Sequence, residues 1–230
     1  MVSGSTWGLG LKDFHGTPIQ EQTVSEPLFD SAHAALTFAF NYTAQVYDRP
    51  LMARLATSPR PNGGKGLAGT DGAAQAGMVL AKLDELPELH QLLILARFMP
   101  KTTTCPCCAS DVWDADWMAV VRKISDAAMA HGILSGHLVH RSVRDGLVAR
   151  YFAGKEGRQR IQLDRLAIRA SISERTVVDQ NSKITLWLRG SKLTRKGKGA
   201  APEAGVIGEE QLAMNRIEAA LLRAEAIVGS

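Results

Sequence analysis

Arg160-Ile-Gln-Leu-Asp-Arg-Leu-Ala-Ile-Arg-Ala-Ser-Ile-Ser-Glu-Arg-Thr-Val-Val-Asp-Gln-Asn-Ser-Lys-Ile-Thr-Leu-Trp-Leu188 spaces its apolar residues as two helices around a tight turn. Leu163, Leu166 and Ala167 give the first helix its apolar side. Ala167 stands where the two helices approach closely, and a large side chain there would push them apart. The turn is Ala170-Ser-Ile-Ser173, with Ile172 directed back into a small core. Ser173 caps the second helix, and Thr176 follows three residues on, where a capping box carries Glu. Val177, Ile184 and Leu188 are expected inward, which leaves Glu174, Arg175, Thr176, Gln180 and Lys183 outward.

The charge around this stretch is lopsided. The 230 residues carry 27 basic and 23 acidic side chains, a net charge of +4, yet residues 141–198 alone carry +10 and the remainder −6. A polyanion-binding module needs such segregation, because phosphate neutralisation and counterion release supply much of its affinity. A solvated basic face without a partner has the same composition, so charge alone leaves both readings open.

Leu166-Ala-Ile-Arg-Ala-Ser-Ile-Ser-Glu-Arg-Thr-Val177 resembles the helix-turn-helix motif of bacterial DNA-binding proteins. That family usually enters its turn with Gly, where this chain has Ser171, and commonly has an aliphatic residue where Gln180 stands. The resemblance implies a second helix in the major groove of double-stranded DNA, with its first residues on base edges. Carried over by position, Ser173, Glu174, Arg175, Thr176 and Gln180 are the base readers. Arg175 then pairs with guanine, Gln180 with adenine and Glu174 with cytosine. Arg158, Arg160, Arg169, Lys183 and Arg189 flank the motif and suit phosphates.

The wider layout rests on Gly66-Leu-Ala-Gly-Thr-Asp-Gly-Ala-Ala-Gln-Ala-Gly77, Cys105-Pro-Cys-Cys108 and residues 163–182. It resembles prophage-encoded regulators. It is also similar to lambdoid phage late-gene antiterminators, which combine a zinc-bearing insertion with DNA and RNA-polymerase contacts. The expected function is a phage- or bacterial-type transcription regulator, with antitermination or a helical protein-interaction adaptor as alternatives. Double-stranded DNA is the expected partner, with RNA polymerase and a second copy of the chain as further candidates.

Outward from the motif, the pattern predicts a mostly α chain: a multi-helix front half, the helix pair and a C-terminal helix. Residues 1–30 read as a loosely ordered lead-in, 31–152 as a helical domain with a Cys-rich turn, and 153–190 as the helix-turn-helix. Residues 191–207 read as a basic linker and 208–230 as the last helix. Expected helices run from Ser31 to about Thr57 with Pro50 as a breaker, from Thr70 or Asp71 to about Pro87, and over Leu89–Met99. Others run from an Asp114 or Asp116 cap to about Ala130, over Ser135–Tyr151, and over Glu209–Val228. Gly154 to Gly157 is expected to break the chain between them.

Three cysteines, all within Cys105-Pro-Cys-Cys108, cannot build a secreted-type disulfide framework. The turn reads as small structural cysteines, as redox thiols, or as a zinc site of Cys105, Cys107 and Cys108 with a fourth ligand from His90, His131, His137 or His140, of which His137-Leu-Val-His140 has a suitable three-residue step. Adjacent Cys107 and Cys108 are not expected to point easily at one metal. Gly63-Gly-Lys-Gly66 lacks the spacing of a phosphate-binding loop and reads as a connection into a capped helix. No nucleophile–base pair or carboxylate cluster emerges, so an enzyme is not expected. With no apolar run of membrane-spanning length and no signal-peptide pattern, the expected compartment is the cytoplasm.

Overall fold

The computed structural model describes residues 28–47, 70–134, 139–191 and 205–228. The expected helix beyond Tyr47, Pro50, the glycine loop at 63–66, the helix start at Ser135, His137 and most of the 191–207 linker lie outside these residues.

Among the described residues the fold is mostly α, as the periodicity predicts. Helices α1 (Ala32–Tyr47), α2 (Thr70–Asp84) and α3 (Glu88–Phe98) form the front. Ser31 caps α1 by accepting the Ala34 amide at 3.2 Å. A two-stranded antiparallel hairpin follows, β1 (Thr102–Thr104) and β2 (Asp111–Trp113), with Thr103 opposite Val112. The cysteine turn is therefore the tip of a hairpin, and not the plain turn between helices that the sequence pattern predicts. Strands of three residues are too short to print an alternation.

Asp114 begins α4 (Ala115–Ala130) by accepting the Trp117 amide at 2.8 Å. The indole of Trp117 is fully buried and donates to the Ala96 carbonyl at 3.0 Å, which fastens α4 to α3. Next come α5 (Arg141–Phe152), α6 (Gly154–Arg160), α7 (Leu163–Ala170), α8 (Glu174–Arg189) and α9 (Glu209–Arg223). Gly154 has φ +62°, so the chain does break there, but it re-enters a helix at once. The expected break over 154–157 is a one-residue corner, and 158–160 complete α6 rather than opening the motif.

α5 is the hub of the rear half and packs against α4, α6, α7 and α8. Gly146 makes the α5–α7 approach close: an added Cβ would meet the Leu166 side chain at 2.8 Å. α9 touches α1, α2, α3 and α8, so one apolar core runs from Phe29 to Ile227. The C-terminal helix stops at Arg223, and Ile227 instead forms a parallel bridge with Phe29. Gly190 pairs with Ile207, bringing the two ends of the basic connection together. Gly190 has φ +79°, and a Cβ there would lie 2.1 Å from the Val206 carbonyl oxygen. No helix among the described residues is long and apolar enough to cross a membrane.

Candidate nucleic-acid interface

The α7–α8 unit is built as its sequence dictates. α7 buries Leu166 and Ala167 and ends on Ser171 in the left-handed region (φ 53°, ψ 42°). The Ser171 amide bonds the Ile168 carbonyl and the Ile172 amide bonds the Ala167 carbonyl, both at 3.1 Å. This pair of bonds is a Schellman ending, with Ile172 packed back against the core. Ser171 thus adopts the left-handed conformation that glycine takes most readily. Ser173 then caps α8, its Oγ accepting the Thr176 amide at 3.2 Å. The Thr176 hydroxyl lies 2.7 Å from the same Oγ, so the capping-box position is served by a hydroxyl.

α8 buries Val177, Gln180, Ile184 and Leu188. Ser173, Glu174 and Arg175 are exposed at its start, and Thr176 is half-buried. Gln180 overturns its expected role: it is 0% exposed and cannot read a base. It stands three residues after Val177 and four before Ile184, at the centre of the buried stripe. The outer face of α8 instead carries Arg175, Val178, Asp179, Ser182, Leu186 and Arg189. Lys183 is partly exposed and lies 3.6 Å from Asp179, one helical turn earlier, so its charge is largely offset.

Four of the five expected phosphate contacts divide between two grooves, and Lys183 lines neither. Arg160 and Arg169 line one of about 360 Å³ between the hairpin, α5 and α7. Arg160 sits 3.6 Å from Asp111 and 5.5 Å from the centre of the Trp113 ring, which ties the hairpin to the basic margin. Arg122 and Arg165 line the same groove and were missed by sequence reasoning. The four-residue step from Arg165 to Arg169 could have disclosed the first of these; nothing in the sequence signals Arg122. Arg158 and Arg189 open onto a second groove of about 440 Å³, together with Arg97 and Arg150.

Charge compensation is uneven along the basic segment. Arg141 and Arg144 at the start of α5 both pair with Asp126. Among the described residues, Arg122, Arg158, Arg165, Arg169, Arg175 and Arg189 have no ion pair. The uncompensated charge therefore gathers around α7 and α8.

At the hairpin tip, the sulfurs of Cys105, Cys107 and Cys108 lie within 4.8 Å of one another, close enough to hold a metal ion. Adjacent Cys107 and Cys108, which the sequence alone does not lead one to place on a single metal, do bring their sulfurs together. Ala109 takes φ +56°, and its amide bonds the Cys105 carbonyl at 2.9 Å, curling the tip so that the three thiols converge. The Ser110 hydroxyl, 2.9 Å from Cys108 Sγ, lowers the Cys108 pKa to about 7. Contact with Cys107 lowers that of Cys105, and the same contact raises that of Cys107. Among the described residues no histidine or carboxylate joins the three thiols, and His137 falls outside them.

No protein-family model, curated protein or solved structure matches this chain.

Proposed function

We propose that this chain is a DNA-binding transcription regulator of phage or bacterial helix-turn-helix type, acting in the cytoplasm on double-stranded DNA. The observation that carries the reading is the join of α7 to α8. A Schellman ending and a Ser173 cap leave the first turn of α8 bare, between arginines that have no acidic partner. In this docking Ser173, Glu174, Arg175 and Thr176 meet base edges in the major groove, with Arg175 suited to guanine and Glu174 to cytosine. Arg160, Arg165 and Arg169 hold one phosphate strand.

The test is selection of the full chain on a random duplex library, with affinities of the selected site measured across salt. One enriched site and a log–log salt slope of several units are expected, at about −0.9 per phosphate. No enrichment, with salt-independent retention, would reject the reading.

We assign zinc to the three thiols. Cys105, Cys107 and Cys108 would hold the ion through their thiolate sulfurs, and the bound ion would fasten the tip of the hairpin. His137 remains the candidate fourth ligand. Metal analysis of the purified protein and of its Cys108→Ser variant tests the assignment.

A second reading is favoured by one specific feature: Ile168 (77% exposed), Val178 and Leu186 are large apolar side chains left open on α7 and α8. A protein partner such as RNA polymerase would cover them, as in an antiterminator or an adaptor. Salt-insensitive capture of that partner, without duplex binding, would favour it.

A further inference from the structure

The second groove lies away from the first turn of α8 and draws on four helices. Arg97 comes from α3, Arg150 from α5, Arg158 from α6, and Asn181, Thr185 and Arg189 from the second half of α8. Arg150 is not held by a carboxylate. Its Nη1 donates to the Arg158 carbonyl at 3.1 Å and to the Ile161 carbonyl, which fixes the guanidinium by backbone alone. Burial lowers its pKa, and the neighbouring Arg158 guanidinium adds to the effect. Arg97 is compensated: its Nε lies 2.6 Å from Glu210 Oε1, and the Tyr151 hydroxyl donates to the other oxygen at 2.6 Å. Four guanidinium groups thus share one carboxylate among the described residues, and the groove holds positive charge that an anion would complete.

The groove does not end as a closed pocket. Asn181, Thr185 and Arg189 also line a shallower depression with Ser182, Leu186 and Gly190. Arg189 continues into a third concavity beside the Gly190–Ile207 bridge. A track across the last two turns of α8 suits an extended ligand better than a compact one. The C-terminal end of a helix carries partial negative charge, so an anion seated there depends on the arginines and gains nothing from the helix itself.

We propose that this track seats the phosphodiester backbone of a nucleic-acid strand, with Arg158 and Arg189 as the phosphate donors and Thr185 and Asn181 as hydrogen-bonding neighbours. The proposal rests on the DNA-binding reading and extends its footprint from the start of α8 to its far end. Arg150 and Arg97 position the groove: one props α6, the other joins α3 to α9.

The experiment is an anisotropy titration of the full chain against labelled duplexes of about 20 base pairs, the selected site and its single-base substitutions, at several salt concentrations. The proteins are wild type, the Arg158→Gln/Arg189→Gln double variant, Arg175→Ala, and Lys123→Gln as a charge control on the exposed face of α4. The double variant should melt as wild type does, since both side chains are exposed, and should flatten the salt slope by about 1.8 units. The control should leave the slope unchanged. A wild-type slope in the double variant overturns the groove proposal and leaves the α8 reading to the Arg175 result. Loss of slope in the double variant, with no base selectivity lost in Arg175→Ala, keeps the groove and removes the reading helix. If the wild-type chain binds inorganic tripolyphosphate but no duplex, the groove takes a compact polyanion and the strand proposal falls.

Discussion

Replacing Gln180 with Glu places a carboxyl at a fully buried position on the core side of α8, between Val177 and Ile184. Burial disfavours the charged form, so the folded-state pKa of that carboxyl rises above its unfolded value of about 4.3. The sign follows. Below the unfolded pKa the group is protonated in both states, and the variant carries only a small packing cost. As pH rises, the unfolded chain ionises while the folded one cannot, and stability falls by about 1.4 kcal/mol per pH unit. Between about 4.3 and 7 this amounts to roughly 3–4 kcal/mol, a large share of the 5–15 kcal/mol of an ordinary domain. Urea unfolding followed by tryptophan fluorescence from pH 4 to 8 measures it, because Trp187 sits on the same helix. Stability curves of variant and wild type that run parallel across this range would put Gln180 in solvent. They would restore its outward, base-facing role and refute the buried stripe.

Other expectations follow from the same elements. A non-glycine residue in the left-handed region costs about 1–2 kcal/mol, and glycine returns part of that as chain entropy. Ser171→Gly should therefore stabilise the fold by about 0.5–1 kcal/mol and Ser171→Val should destabilise it; the opposite order by urea unfolding would deny the Schellman ending. Ala167 is almost fully buried beside α8, so Ala167→Leu should cost about 1–3 kcal/mol by overpacking. A wild-type melting temperature in that variant would reject the helix pairing. Cys108 in metal-free protein should alkylate with a midpoint near pH 7, set by its bond to Ser110, and Ser110→Ala should move the midpoint upward. An unmoved midpoint would show that the hydroxyl does not act on that thiol.

The parts of the fold written in local sequence were legible. Leu163, Leu166 and Ala167 set one apolar side, Ser173 marked a helix start, and Asp114 marked another. Where the reading went wrong, a local rule met a tertiary exception. Gln180 is polar, and polarity suggested solvent, although its spacing from Val177 and Ile184 already placed it on the apolar stripe. Thr102–Thr104 and Asp111–Trp113 are too short to alternate, so the hairpin that gathers the thiols left no periodic trace. Gly154 punctuates the chain without ending helicity, because a single positive φ turns a corner. The arginine groove was beyond sequence reasoning for a different reason. Arg97 and Arg150 come from helices far apart in the chain, and Arg97 lies outside the basic segment. Only the packing of α3, α5, α6 and α8 brings them beside Arg158 and Arg189.

Base reading by the first turn of α8, as proposed, turns on the side chain of Arg175. Arg175 is exposed just behind the Ser173 cap, where a guanidinium can meet a guanine edge in bidentate fashion. The decisive measurement titrates wild type and Arg175→Ala against the selected site and each of its single-base substitutions at fixed salt. The variant should lose about 1–3 kcal/mol on the selected site and become indifferent at one base pair while keeping its preferences elsewhere. An equal loss on every duplex, with all preferences retained, would contradict that reading.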